Sequence, residues 1–471
     1  MVFSSLIFLY LFLPACMLLY FAVKPIGAKN TILLVFSLLF YAWGEPVYIF
    51  LMLASSLFNY LMGRAMGKWP EKKKPVLVLA VIINLCALGV FKYAGLLVET
   101  WNQLTGLLLP VPQIALPIGI SFYTFQAMSY VVDVYRGRAQ VQRSLPRFVL
   151  YVSMFPQLIA GPIVRYSDIE QQLDHREVNW ETIFYGLLRF CIGLGKKILL
   201  ADHAGVIANQ MLDGQLSFST TAGVWLGVIM FTFQIYFDFS GYSDMAIGLG
   251  HIFGFKYREN FDLPYTSASI TEFWRRWHMS LGSFFRDYVY IPLGGNRRHR
   301  LLNLFITWAL TGLWHGASWN FLLWGLYFFV LLAAEKQMWS LQKKVPKFLR
   351  QILTLLLIVL GWTIFYFTDF HSLWTALQVM FGAAGSGLIN GQIKIQLLNA
   401  LPLLVVCAIG STGIPKAVGE LFGLLCTDKE HHGKKQVIYV AVTFLFCLSL
   451  LVLSTASLGG SSFSAFLYYR F

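Results

Sequence analysis

The stretch PVLVLAVIINLCALGVF, residues 75–91, decides the class of fold, because it is apolar and long enough to span the core of a bilayer. Comparable runs recur at residues 4–23, 222–237, 351–367 and 436–453. The 471-residue chain is 57% hydrophobic and 12% charged, with a mean hydropathy of +0.64, which excludes a soluble domain of average composition. We therefore expect an all-α polytopic membrane protein with roughly 11–13 spans.

The basic residues indicate topology rather than a nucleic-acid partner. Lys and Arg number 36 against 22 Asp and Glu, a net charge of +14. They concentrate in the loops at 67–74, 135–143, 296–300 and 335–350, whereas the loop at 98–117 has none. This positive-inside signal predicts that the basic loops face the cytoplasm and anionic lipid, with both chain termini outside the cell membrane. We expect the first apolar run to be a retained span, since no Lys or Arg precedes it and no small-residue cleavage site follows it.

Two segments, 155–173 and 256–300, interrupt the regular alternation of spans and loops. In both, short apolar pieces alternate with Pro, Gly and charged residues. Irregular backbone is tolerated at membrane depth only where protein or water surrounds it, so we expect re-entrant segments around a cavity. The adjacent Lys196 and Lys197 also fit the alternation badly and predict a broken helix that lines this cavity.

The chain shows no internal repeat, so we predict a single membrane domain over residues 1–471. Within it we expect N-terminal spans at 1–135 and a catalytic core with re-entrant segments at 136–335. C-terminal spans and an external aromatic tail would follow at 336–471.

The cysteines and histidines form no recognisable metal-binding pattern. The six cysteines are scattered, mostly inside apolar runs, without a C-x-x-C pair, and indicate neither a disulfide framework nor a thiolate site. The histidines lack H-E-x-x-H spacing, which argues against a zinc hydrolase. We therefore expect no bound metal.

Three histidines lie in or near apolar segments and are candidate functional residues: His251, His278 and His315. An ionisable side chain within a membrane protein is costly to bury, so it is a functional candidate by default. The structural alternative is a hydrogen bond between helices, which membrane histidines also make.

His315 stands in TGLWHGASWNF, residues 311–321, between Gly312 and Gly316. The glycines let another group approach the backbone closely, and polar residues follow before the next apolar run, a pattern that indicates the wall of a site. A neutral imidazole in a low-dielectric site can accept a proton from a hydroxyl at neutral pH. Acyl transfer requires this property.

An arginine cluster surrounds His278 in residues 271–300. Its arginines alternate with aromatic residues: Arg275, Arg276, Arg286, Arg297, Arg298 and Arg300 with Trp274, Trp277, Phe284 and Phe285. Guanidinium groups bind phosphate and aromatic rings accommodate an apolar moiety, so the cluster suits a coenzyme A thioester. The alternative is an amphipathic interfacial helix whose arginines contact lipid phosphate.

Two carboxylates, Asp238 and Asp244, stand among apolar residues. They could orient a histidine or the arginine cluster, or they could be paired structural charges. A rival class of function is a multi-pass transporter or channel, in which both would form a proton relay with His315. The missing repeat symmetry and the irregular segment rich in Arg and Trp argue against that class.

Four stretches resemble, in this order, the signature of the membrane-bound O-acyltransferase (MBOAT) superfamily. They are DFSGYSDMAIGLG (238–250), ITEFWRRWHMSL (270–281), FFRDYVYIPLGGNR (284–297) and TGLWHGASWNF (311–321). In wording they are closest to the AlgI-like alginate O-acetylation branch. The earlier stretches LPIGISFYTFQAMSYVVDVYRG (116–137) and FPQLIAGPIVRY (155–166) resemble that branch too, so the likeness runs over nearly the whole chain.

The resemblance implies an MBOAT-like helical bundle around a central funnel or tunnel, with O-acyltransferase activity. The donor would be cytoplasmic acetyl-CoA, and no cofactor would be bound permanently. The acetyl group would pass across the membrane to a separate extracytoplasmic SGNH-type transferase, which acetylates a polysaccharide.

The resemblance also implies roles for individual residues. His315 matches the family's catalytic histidine and would act as general base or transient acyl acceptor. His278 matches the second histidine and would line the donor site. Apart from the resemblance, we assign six residues in and near the arginine cluster to donor binding: Arg275, Arg276, Trp274, Asn296, Arg297 and Trp314. Asp244 is assigned as an orienting group.

The C-terminal sequence FLYYRF, residues 466–471, suggests a further role, because the AlgI-like branch tends to end in a short aromatic motif that contains tyrosine. We hypothesise that the Tyr468 phenol is a relay acceptor that takes the acetyl group with help from His315 and presents it to the extracellular partner. The alternative is an aromatic anchor at the membrane interface.

Overall fold

The computed structural model of the protein describes residues 1–159, 161–214, 216, 219–338, 344–385, 387–426, 432–460 and 466–467. Within these residues the chain is helical, without a β-strand. The α-helices are α1 (Leu13–Ala22), α2 (Ile26–Gly44), α3 (Ile49–Lys68), α4 (Lys73–Thr105), α5 (Ile120–Tyr135), α6 (Leu145–Ser153), α7 (Tyr166–Asp174), α8 (Trp180–Gly195), α9 (His203–Leu212), α10 (Thr221–Phe253), α11 (Ile270–Arg276), α12 (Met279–Phe285), α13 (Arg300–His315), α14 (Trp319–Gln337), α15 (Lys347–Tyr366), α16 (Phe370–Met380), α17 (Gly391–Gly410), α18 (Ile414–Cys426) and α19 (His432–Gly460).

Seven helices in the described part of the chain are long and apolar enough to cross a membrane. They are Ile26–Gly44, Ile49–Lys68, Pro70–Thr105, Thr221–Phe253, Lys347–Tyr366, Gly391–Gly410 and Val437–Gly460, with a shorter apolar helix at Phe8–Ala22. The predicted all-α, multi-pass membrane fold is thereby confirmed. The total of 11–13 spans, the sidedness of the termini and the predicted domain boundaries stay predictions.

Residues 1–190 and 242–258 form one compact unit. Its helices α2 to α6 pack against one another. Between α3 and α4 the side-chain amides of Asn59 and Asn84 exchange hydrogen bonds of 3.0 and 2.9 Å, since buried amides need partners. Helix α4 ends at Gly106, which has a left-handed backbone with a φ of +71°. This conformation terminates a right-handed helix, and glycine adopts it without strain.

Residues 191–241 and 259–471 form the second unit. Helix α8 continues into a π-helical segment, Lys196–Asp202, before α9 begins. The irregularity predicted at Lys196 and Lys197 is therefore a locally widened helix rather than a gap in it. Such π-helical insertions are rare and are frequently found at functional sites.

Helices α13 and α14 form a tight hairpin in the second unit. A Cβ atom on Gly312 would lie 2.3 Å from the carbonyl oxygen of Phe321 and 3.2 Å from the Cα of Gly325. Both glycines therefore let the two backbones touch, as small residues do at membrane helix interfaces. The hairpin packs on α15 through a core of buried aromatic side chains: Phe321, Trp324, Phe328, Trp362 and Phe365.

Candidate active site

Helix α11 is only two turns long, and hydrogen bonds at its start fix its position. Ser269 Oγ accepts a hydrogen bond from the backbone N–H of Glu272 at 3.0 Å. In return, the Glu272 carboxylate accepts one from the backbone N–H of Ala268 at 2.9 Å. From α14, the buried carboxylate of Glu335 accepts the N–H of Ile270 at 2.7 Å. These bonds satisfy N–H groups that the start of a helix leaves without intrahelical partners, so α11 is held in place.

His278 joins α11 to α12 with a left-handed backbone, φ +44° and ψ +52°. This conformation costs a residue with a Cβ about 1–2 kcal/mol. Asn260 offsets that cost, because its carbonyl oxygen accepts the N–H of Met279 at 3.0 Å and its side-chain oxygen accepts the N–H of Ser280 at 3.2 Å. The same side-chain oxygen lies 3.1 Å from Nδ1 of His278.

The contact with Asn260 fixes the tautomer of His278. Because the backbone N–H of Ser280 can only donate, the Asn260 atom it meets is the amide oxygen, an acceptor. Nδ1 of His278 must then carry the hydrogen, which leaves Nε2 as the basic nitrogen. His278 lies outside the seven candidate spans. Its pKa is lowered well below the usual range, mainly by burial and to a smaller extent by the charge of the neighbouring His315. The ring is therefore neutral at pH 7.

His315 is the last residue of α13, at the turn into α14. Its neighbour Gly316 has no room for a side chain, since a Cβ there would lie 2.1 Å from the ring of Phe321. The close approach predicted from Gly312 and Gly316 is thus made by α14 itself. At this turn His315 is 4% exposed, with its ring centroid 4.9 Å from that of Trp324 in α14.

The structure brings His278 and His315 into one aromatic site. Trp314 contacts both, with its ring centroid 5.9 Å from that of His278 and 5.0 Å from that of His315. Trp324 and Phe365 lie 4.9 and 5.4 Å from His315, and Phe239 lies 4.5 Å from His278. Two buried imidazoles among aromatic rings have the water-excluding surroundings in which proton transfer is efficient.

A cavity of about 760 Å³ opens beside α11 in the same unit. Four cationic side chains and two carboxylates line it: Arg275, Arg300, Lys336, Arg350, Glu272 and Glu335. Asn296 and Tyr290 also line it, and the Tyr290 hydroxyl donates to the Asn296 side-chain oxygen at 2.9 Å. The cavity therefore gathers Arg275 and Asn296 from the predicted donor-binding set and carries an excess of positive charge.

The other predicted donor-binding residues have different surroundings. Arg276 pairs with Glu272 at 2.8 Å. Trp274 packs against aromatic rings, with Trp308 at 4.7 Å. Arg297 is exposed, and Trp314 belongs to the histidine site.

The two candidate carboxylates lie in different units. Asp244 belongs to the first unit, where it accepts two hydrogen bonds from Arg189 at 2.9 and 3.0 Å. Asp238 belongs to the second unit, with both histidines, and its Oδ1 lies 2.6 Å from Nζ of the buried Lys197. The orienting role of Asp244 stays a prediction. Asp238 directly precedes Phe239, whose ring packs against that of His278.

The remaining candidates are His251 and Tyr468. His251 lies in the first unit, with its ring centroid 5.0 Å from that of Tyr185. Tyr468 lies outside the described residues. Phe466 and Leu467 just before it are described, and both are buried.

Sequence reasoning missed the roles of Asn260, Glu335 and Lys197. Only the irregularity of segment 256–300 points to Asn260, and only the misplaced Lys196–Lys197 pair points to Lys197. Among the described residues, no group of three or more His, Cys, Asp or Glu side chains has a geometry that could hold a metal ion.

The fold and the site together describe a polytopic membrane protein whose second unit holds a buried pair of histidines and a basic cavity, the components of a membrane group-transfer enzyme. The sequence profile of the MBOAT, membrane-bound O-acyltransferase family, matches residues 138–376. The chain belongs to this family.

Its relatives include proteins from three bacteria. The chain is 40% identical, over 100% of both sequences, to a protein of Azotobacter vinelandii named probable alginate O-acetylase AlgI. It is 32% identical to the peptidoglycan O-acetyltransferase of Helicobacter pylori, over 96% of this chain and 89% of that one. It is 28% identical to the teichoic acid D-alanyltransferase of Bacillus subtilis, over 54% of this chain and 69% of that one. The protein is therefore a multi-pass membrane acyltransferase, which confirms the predicted family and enzyme class.

Proposed function

We propose that this acyltransferase takes an acetyl group from cytoplasmic acetyl-CoA and passes it across the cell membrane for O-acetylation of a polysaccharide. A separate extracytoplasmic SGNH-type transferase would complete the reaction. The observation that carries the proposal is the burial of His278 and His315 around Trp314. The names of the relatives from Azotobacter and Helicobacter, which refer to alginate and peptidoglycan, support a polymer as the final acceptor.

The basic cavity beside α11 is the proposed donor site. Its arginine and lysine side chains would bind the phosphates of coenzyme A, with Arg275 and Asn296 on the wall. Arg275 and His278 are three residues apart, so their Cα atoms lie within about 11 Å of each other. A thioester arm of the donor could therefore reach the histidines while its phosphates stay in the cavity. Arg276, Arg297 and Trp274 would support the same donor.

The chemistry is assigned to the histidine pair. His315 takes the proton of an acceptor hydroxyl while the hydroxyl oxygen attacks the thioester carbonyl. A C–O bond forms and the C–S bond breaks. The departing thiolate takes the proton from the imidazolium, so that the products are an acetyl ester and free coenzyme A. His278 would line the donor site with its Nε2 lone pair.

Tyr468 is the proposed first acceptor. Its phenol would receive the acetyl group, and a second transfer to the partner enzyme would regenerate the phenol. The burial of Phe466 and Leu467, in the same unit as the histidines, supports this role. Tyr468→Phe keeps an aromatic anchor and removes the nucleophile, so we expect it to abolish polymer acetylation. Normal acetylation by this variant would exclude the relay.

The proposal is tested by labelled acetyl-CoA in inverted membrane vesicles that contain the protein and its partner. We expect His315→Ala to reduce thioester breakdown and acetyl transfer by at least about 100-fold. Lys416→Met removes a charge from an exposed ion pair with Glu420 and serves as the control. Label that depends on His315 and maps to the C-terminal peptide would support the Tyr468 relay. If folded wild-type protein consumes no acetyl-CoA, the proposed donor is wrong.

A further inference from the structure

A buried network of charges lies where α10 meets the π-helical segment of the second unit. Nζ of Lys197 lies 2.6 Å from Asp238 Oδ1 and 2.7 Å from Asp202 Oδ1, and the Lys197 side chain is 1% exposed. Burying an ammonium group is costly unless carboxylates and hydrogen bonds compensate it. A network of this kind needs a reason beyond stability, because apolar residues of similar size would often be as stable.

The network also holds Phe466 and Leu467, which we call the tail. The backbone N–H of Leu467 donates to Oδ2 of Asp238 at 2.9 Å, across 229 residues of sequence. The ring of Phe466 lies over the Lys197 ammonium group at 4.6 Å, a cation–π contact. Phe466 is 1% exposed. The two oxygens of Asp238 thus have different partners: Oδ1 binds the Lys197 ammonium group, and Oδ2 accepts the backbone N–H of Leu467.

The same turn of α10 contacts the histidine site. Phe239, the residue after Asp238, packs against the ring of His278 at 4.5 Å. Two residues further on, Gly241 lets the end of α8 and the start of the π-helical segment come close, because a Cβ there would lie 2.7 Å from the carbonyl oxygen of Gly193 and 3.1 Å from the backbone nitrogen of Lys197. One short stretch of α10 therefore connects the tail, the buried lysine and the histidine site.

We propose that Lys197 and Asp238 are positioning residues that dock Phe466 and Leu467 beside the histidine pair, so that transfer of the acyl group to its acceptor depends on the docked tail. The role in transfer rests on the proposed function. The docking itself does not, and the two are measured separately.

Docking is measured by the accessibility of the tail. Leu467→Cys keeps the backbone N–H that Asp238 binds, and it is introduced into a chain whose six native cysteines are replaced by alanine or serine. In detergent-solubilised protein we expect slow reaction with a maleimide, because Leu467 is buried. Lys197→Met or Asp238→Asn should accelerate the labelling at least about 10-fold, as expected when a buried site opens locally. Lys416→Met, an exposed lysine of the same unit, should leave the labelling rate unchanged.

Because replacing a buried charge could disrupt folding, a variant on the tail tests the docking without altering the charged network. Phe466→Ala removes the cation–π contact without altering any helix, and it should accelerate the labelling as well. Each variant is compared with wild type by size-exclusion profile and unfolding temperature. Unchanged labelling in all three folded variants would overturn the docking.

The role in transfer is measured by a double-mutant cycle. We expect Lys197→Met and Phe466→Ala each to slow acyl transfer to the acceptor about 10-fold, with the KM for acetyl-CoA unchanged. Because both act through the docked tail, the double variant should also be about 10-fold slower, whereas independent effects would make it about 100-fold slower. An additive result would overturn the positioning role. Full transfer in His315→Ala would instead refute the proposed function while leaving the accessibility result intact.

Discussion

The side-chain oxygen of Asn260 lies 3.1 Å from Nδ1 of His278, although 18 residues separate them in sequence. The same oxygen accepts the N–H and the hydroxyl of Ser280. One amide thus sets the tautomer of the histidine and stabilises the left-handed backbone that presents it. Partners of this kind, which orient a functional histidine without contacting the substrate, typically change function 10- to 100-fold when they are removed in metal sites.

Replacing Asn260 by Ala should therefore lower the kcat of acyl transfer by about 10- to 100-fold. The donor cavity is lined by other side chains, so the KM for acetyl-CoA should stay within about twofold. Steady-state kinetics on purified protein with its partner would measure both. Asn59→Ala removes a buried amide from the first unit and is the matched control. An equal loss in both variants would mean that Asn260 acts only through stability.

The lowered pKa of His278 predicts a pH-dependent stability. The folded protein binds this proton more weakly than the unfolded chain, in which histidine has a pKa of about 6.5. Stability is therefore retained above about pH 6.5 and is lost as the pH falls below it, by up to about 1.4 kcal/mol per pH unit.

Unfolding temperatures measured between pH 5 and 8 would test this dependence. His278→Asn should show a shallower fall below pH 6.5 than wild type, whereas His371→Asn, at an exposed position, should follow wild type. Identical curves for wild type and His278→Asn would contradict the lowered pKa.

The hairpin of α13 and α14 depends on glycine at position 312. A Cβ atom there would lie 2.3 Å from a backbone oxygen, so the helices must separate in Gly312→Ala. We expect a loss of about 1–3 kcal/mol in stability, with lower activity because His315 ends α13. Gly89→Ala is the control, since nothing lies within 4 Å of its added Cβ, and helix propensity alone favours it by about 1 kcal/mol. Equal unfolding temperatures for the two variants would contradict the close packing.

The sequence predicts the local features of this protein better than its long-range contacts. Apolar runs predict the membrane helices, and the Gly312 and Gly316 pair correctly predicts a close approach beside His315, because both signals lie within a few residues. The contacts of Asn260 with His278 depend on an uncommon positive φ, which no pattern of residue types specifies. The contact of Leu467 with Asp238 joins parts of the chain 229 residues apart, so only the folded structure distinguishes Asp238 from Asp244.

Substitutions of Arg275 separate donor binding from the chemical step. Arg275 lines the basic cavity and precedes His278 by three residues, so Arg275→Ala should raise the KM for acetyl-CoA about 10-fold or more and change kcat little. The KM of Arg275→Lys should be intermediate, because lysine keeps the positive charge but lacks the planar guanidinium group that binds phosphate with two hydrogen bonds. Acetyl-CoA that lacks its 3′-phosphate identifies the phosphate that Arg275 binds. The effect of Arg275→Ala on KM disappears with this donor when the 3′-phosphate is the partner and persists when the pyrophosphate is. If Arg275→Ala lowers kcat and leaves KM unchanged with both donors, the cavity is not the donor site and the arginine serves the histidine centre instead.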